Sequence, residues 1–237
     1  MIERWALISG LRGDLEVYEQ IQRDLKKTSG VKSLFVLGDL IGPERNCDVL
    51  LNRLQNPQRG DLKPACIYGW WEEQLLAERG FRGDRKADDL RDSQGEDAVA
   101  ALLNTVDPSH MNWLASLQFG FIELDCALIH GSSSNVGDNL TPKTSPLILL
   151  DRLTRLSVNR LFTARSTQQF HLELTGGGID SQVKDLSGKR QYQQTVPKRK
   201  VIGIGAGLNY TIYDVGSDKT HFLTASNQTK TTGLGFA

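Results

Sequence analysis

Histidine is scarce in this chain: of 237 residues only four are histidine, namely His110, His130, His171 and His221. Chemistry that needs a histidine cluster therefore has few side chains to draw on. Cysteine is scarcer still, with Cys47, Cys66 and Cys126 widely spaced and no Cys-x-x-Cys pair. An odd, dispersed set argues against a disulfide framework and a zinc–thiolate site, and points to a reducing compartment. Excess charge of one sign is also missing, because 28 basic residues balance 28 acidic ones. A protein-wide field for polyanions is thereby excluded, and nucleic acid is not an expected partner. No apolar run approaches the ~20 residues of a membrane helix. Met1-Ile2-Glu3-Arg4-Trp5 carries no basic-then-apolar leader pattern. These absences lead us to expect a cytoplasmic protein that does not contact a membrane.

What is present is enough for a real core. Hydrophobic residues make up 39% of the chain and charged ones 24%, the balance of a folded domain. Neither a repeat nor a linker interrupts it, so a single domain over residues 1–237 is expected.

The first part reads as alternating strands and helices. Strands are expected at 5–9, 31–37 and 65–68, ending at Gly10, Gly38-Asp39 and Gly69. Between them lie an amphipathic helix from Asp14 to Leu25, with Leu15, Tyr18, Ile21 and Leu25 inward, and a helix over 46–54 with Val49, Leu50 and Leu54 inward. This alternation implies parallel strands with right-handed crossovers, in which function gathers at the C-terminal strand ends. Residues 82–97 are charged and read as a solvated loop or a polar helix start, followed by helices at 96–106 and 108–117. The texture then turns mostly β. Strands are expected at 119–124, 126–129, 160–163, 168–174, 190–195, 200–204, 209–214 and 219–224, with a polar loop over 131–145 and a helix over 146–157. Gly176-Gly177-Gly178 marks a turn; without a following Gly-Lys-Ser/Thr it is not a phosphate loop. Lys184, Lys189, Arg190, Lys198, Arg199 and Lys200 form a basic stretch read as a solvated hairpin, with an acidic partner as the functional alternative. His110 is expected on a helix surface, and His171 and His221 as structural strand histidines.

Polar blocks stand where strands end: Gly10-Leu11-Arg12-Gly13-Asp14, Gly38-Asp39-Leu40-Ile41-Gly42, Gly69-Trp70-Trp71-Glu72, His130-Gly131-Ser132, and Ala164-Arg165-Ser166-Thr167 before Gln168. In order and spacing the chain resembles the calcineurin-like metallophosphoesterases, particularly their small bacterial branch, over nearly its whole length. The resemblance implies an α/β fold: a sandwich of central mixed β-sheets flanked by helices. It also implies a site, which is altered here. Asp39 stands where the family has the carboxylate bridging two metal ions, and His130 where it has a histidine ligand. Elsewhere the family's pattern is replaced: Gly10 for the ligand aspartate, Arg12 for a ligand histidine, Trp70 for the ligand asparagine, Trp71 for the catalytic histidine, and Arg165 and Thr167 for the last two histidines.

One carboxylate and one imidazole do not hold two dications firmly, and guanidinium groups offer no lone pair to a metal. Nor does an indole N–H titrate usefully as a proton donor. The expected protein is thus a non-catalytic member of the fold, without catalytic residues or a cofactor, that serves as a binding, regulatory or assembly factor with a protein partner. Two alternatives stand beside it. One is a metal-dependent phosphoesterase with a single weakly held metal, such as Mn²⁺, at Asp39 and His130. The other is a sensor that takes a phosphorylated small molecule through Arg12, Arg165 and His130. Each arginine has a plainer reading as the counter-charge of Asp39. The two tryptophans read either as filler for the space of the metals or as a contact surface.

Overall fold

The computed structural model describes residues 3–175 and 198–225. The expected turn at Gly176-Gly177-Gly178, the strand at 190–195, and Lys184, Lys189 and Arg190 of the basic stretch lie outside these residues. The chain begins with strand β1 (Arg4–Ile8), helix α1 (Leu15–Lys27), β2 (Val31–Leu37), α2 (Asp48–Gln55) and β3 (Pro64–Ile67). Four helices follow, α3 (Trp70–Glu78), α4 (Asp88–Gln94), α5 (Glu96–Leu103) and α6 (Met111–Ser116), the last preceded by a 3-10 turn at Pro108–His110. Next come β4 (Gly120–Glu123), β5 (Cys126–Ile129), α7 (Pro146–Arg155), β6 (Arg160–Thr163), β7 (Gln169–Leu174), β8 (Arg199–Ile204), β9 (Asn209–Asp214) and β10 (Lys219–Thr224).

Two five-stranded sheets form, ordered β10-β9-β1-β2-β3 and β4-β5-β6-β8-β7. Each is mixed. Strands β1, β2 and β3 run parallel, β9 is antiparallel to both its neighbours β1 and β10, and β5, β6 and β8 run parallel between antiparallel β4 and β7. The period-2 alternation of side chains explains why the central strands read as continuous apolar runs. On β1, Trp5 and Leu7 join Phe35 and Leu37 of β2 in the core that also takes in Leu128, Phe162 and Ile202 of the second sheet. Ala6, Ile8, Leu34 and Val36 point the opposite way, into the core shared with α1, α2 and α3. A third cluster packs the second sheet under Leu149 and Leu153 of α7. The result is the layered α/β sandwich expected from the sequence, with two mixed sheets at the centre.

Three local expectations are corrected. Val49 does not face inward: it is 61% exposed, and Leu51 is buried in its place. His110 is not on a surface but is buried, its Nδ1 3.0 Å from Gln55 Nε2. Over 82–97 the helical alternative holds: α4 forms there, and its Arg91 pairs with Glu78, Asp88 and Glu96. Within the basic stretch, Lys200 is largely buried and bonds Asp218 at 2.8 Å, so it is part of the fold and not a solvated charge.

Candidate functional site

The parallel order of β1, β2 and β3 brings their C-terminal ends together, and tight loops leave each of them. Gly10 and Gly13 on the first, and Gly38 and Asp39 on the second, have positive φ, and so does Arg12 at 46°. The two loops are stitched backbone to backbone. Gly10, Arg12 and Gly13 donate N–H bonds to the carbonyls of Gly38, Asp39 and Leu40 at 3.2, 3.0 and 2.8 Å. At the third strand end only glycine fits, because a Cβ on Gly69 would lie 2.3 Å from the backbone nitrogen of Asp39.

Glu72 fixes this junction. Its carboxylate is completely buried and accepts three backbone N–H groups, from Gly69 at 2.6 Å and from Asp39 and Ile41 at 2.9 Å each. It thus caps the start of α3 and holds the Asp39 loop against it. Burial, and then the negative charge of Asp39, push its carboxyl up to about 7.

Asp39 itself is buried and accepts the backbone N–H of Trp71 at 3.2 Å. His130 reaches it from the end of β5 in the other sheet. The imidazole is 1% exposed and its Nδ1 donates to the carbonyl of Leu37 at 2.7 Å, which fixes that nitrogen as the one bearing hydrogen. Its Nε2 lies 3.3 Å from Asp39 Oδ1 and, among the described residues, makes no hydrogen bond. The backbone of His130 is held from the end of β6 and the two residues after it, where Thr163 Oγ1, Ala164 N–H and Arg165 N–H all donate to its carbonyl.

The two sheets therefore bring together Asp39 and His130, the two residues that the resemblance implies as ligand positions. Around them Arg12, Trp71, Trp70 and Arg165 form a stack. The Arg12 guanidinium lies 4.9 Å from the Trp71 ring centroid, Trp71 and Trp70 meet edge to face at 4.8 Å, and Arg165 lies 4.5 Å from the Trp70 ring. Both indoles are buried, at 6% and 4% exposure, so they fill the interior and do not form an open contact surface. Arg12 pairs with Glu44, and neither arginine pairs with Asp39 among the described residues. Arg12 lines a cavity of about 280 Å³ with Glu44 and Arg45, Arg165 lines a different one of about 560 Å³ with Trp70 and Asn135, and His130 is buried and lines neither. Thr167 is exposed, in a left-handed turn, with its hydroxyl bonded to the carbonyl of Ser166.

Gly10 leaves no room for the side chain that the resemblance puts there. It sits at φ 65°, and a Cβ would lie 2.7 Å from that of Ala206. Among the described residues, no three His, Cys, Asp or Glu side chains gather as metal ligands. The role of Glu72 is not among the sequence expectations, although a glycine followed three residues later by glutamate at a helix start is the signal that finds it. Glu44, as partner to Arg12, had no comparable signal.

Comparison with protein-family profiles and with curated proteins finds no match. Solved structures match over the full fold. A metallophosphoesterase from Sphaerobacter thermophilus is 18% identical with a TM-score of 0.61, over 95% of this chain and 89% of that one. A hypothetical protein from Pyrococcus horikoshii OT3 is 12% identical with a TM-score of 0.66, over 94% and 88%. A cold-active protein-tyrosine phosphatase of a Shewanella species is 11% identical with a TM-score of 0.50, over 94% and 81%. The chain has the metallophosphoesterase fold.

Proposed function

We propose that this chain is a non-catalytic member of the metallophosphoesterase fold, a pseudoenzyme that acts as a binding, regulatory or assembly factor with a protein partner. The observation that carries this reading is the Arg12–Trp71–Trp70–Arg165 stack, built from the positions where the fold family keeps metal ligands and its catalytic histidine. Cations and indoles there add positive charge and bulk and supply no lone pair to a metal. The crowding of Gly10 by Ala206 works in the same direction. Hydrolysis tests the reading. With Mn²⁺ supplied, the wild-type chain is expected to cleave bis(p-nitrophenyl) phosphate and p-nitrophenyl phosphate no faster than Asp39→Ala. Mn²⁺-dependent turnover that disappears in Asp39→Ala would overturn it.

One observation favours a second reading. His130 Nε2 lies beside Asp39 Oδ1 without a hydrogen bond of its own, and such an oxygen–nitrogen pair suits one divalent cation. A phosphoesterase with a single metal at Asp39 and His130 would use that ion to polarise a phosphoryl oxygen. The same assay separates the two readings.

A further inference from the structure

The cavity of about 560 Å³ beside Trp70 has the charged side chain of Arg165 in its wall. Arg165 stacks on Trp70, which fixes the plane of its guanidinium. Its Nε is buried and unpartnered. Among the described residues, no carboxylate, carbonyl or hydroxyl accepts from any of its side-chain N–H groups. The second arginine of the cavity is different: Arg152 bonds Asp138 at 3.1 Å and Asp151 at 2.6 Å and is neutralised. Polar groups from two sides complete the wall, Asp89, Ser93 and Gln94 from α4 and Ser134, Asn135 and the Arg152-paired Asp138 from the loop after His130. A volume of this size is that of a metabolite site, and a guanidinium held flat presents its donors as a fork that matches an oxyanion.

We propose that this cavity binds a small organic oxyanion, a phosphate ester or a carboxylic acid with a polar body. The oxyanion accepts from Arg165, and the body hydrogen-bonds the Gln94 and Asn135 walls. No metal takes part, and Arg12 does not contribute because it lines the other cavity. The inference rests on the non-catalytic reading and gives that binding function a site and a ligand class.

The test uses the full chain in chelator, with orthophosphate, glycerol phosphate, glucose phosphate, adenosine monophosphate and citrate as probes in thermal melting and calorimetry. At least one organic probe is expected to raise the melting temperature. Its Kd should weaken roughly tenfold or more in Arg165→Lys, which keeps the charge and loses the fork, and stay unchanged in Arg12→Lys. Gln94→Ala, at an exposed position, should also weaken it while the melting temperature of the free protein stays the same. Binding by the phosphates alone assigns the phosphate source, and binding by citrate alone the carboxylate. The inference falls if no probe binds, if binding survives Arg165→Lys, or if Arg12→Lys removes it equally. Binding seen only when Mn²⁺ replaces chelator overturns both this inference and the non-catalytic reading. No binding by a chain that also takes up no metal overturns this inference alone.

Discussion

Replacing Gly10 with alanine tests how firmly the first strand end excludes a side chain. Two costs follow from its geometry. At φ 65° an L-residue is in left-handed backbone, which costs roughly 1–2 kcal/mol. The new Cβ would also meet Ala206 Cβ at 2.7 Å. That neighbour is no flexible side-chain tip that can swing away, so the overpacking costs a further ~1–3 kcal/mol. The sum, about 2–5 kcal/mol, lowers the melting temperature by roughly 4–20 °C in a chain of this size. Urea unfolding of Gly10→Ala, Ala206→Gly and the double variant separates the two costs. Ala206→Gly alone loses about 0.4–1 kcal/mol through chain entropy. In the double variant the steric part should be recovered and the backbone part should remain, a coupling of roughly 1–3 kcal/mol. Stability of Gly10→Ala within about 0.5 kcal/mol of wild type, or additive behaviour of the two substitutions, would refute the reasoning. It would also reopen the strand end to the aspartate that the resemblance implies.

Other perturbations probe the rest of the site. Trp71→Ala removes a buried indole and the platform of Arg12, and should cost about 3–5 kcal/mol in urea unfolding; a loss below about 1 kcal/mol would mean that the indole is not filler. Glu44→Gln removes the partner of Arg12, but both side chains are close to half exposed, so stability should change by less than ~1 kcal/mol. Glu72→Gln has a pH signature. The folded carboxyl is raised from 4.5 to about 7, so between these values the native state holds a proton that the unfolded chain has lost. Wild-type stability from this group is present below about pH 4.5 and lost as pH rises toward 7, by roughly 3 kcal/mol. The amide leaves at least one backbone N–H unsatisfied, at ~1–3 kcal/mol, but does not titrate. Measured against wild type, the penalty of Glu72→Gln should therefore shrink from about pH 5 to pH 8, and a penalty that grows would contradict the direction.

Much of the fold was legible because its strands are short apolar runs closed by glycine, and β2 and β5 fall at their expected residues. The helix α3 was not. Residues Trp70 to Ala77 are buried on nearly every side, so no polar face breaks the run and no helical period emerges. Val49 and His110 were misread for a related reason: local periodicity does not tell which neighbours the tertiary fold brings near. In the site, Asp39 and His130 were legible as strand-end residues, and their meeting follows from the sheet order. The separation of Arg12 from Arg165 was not legible, because it depends on two indoles meeting edge to face between them, a packing choice that spacing does not encode.

Uptake of a divalent metal bears most directly on the central claim. The full chain, purified without chelator, is assayed for bound metals and then titrated with Mn²⁺ by calorimetry, alongside Asp39→Ala and His130→Ala. A dismantled centre predicts no tightly bound metal, no saturable heat, and melting unchanged by chelator in all three proteins. One or two equivalents of tightly bound Mn²⁺ in the wild type, lost in either variant, would contradict it.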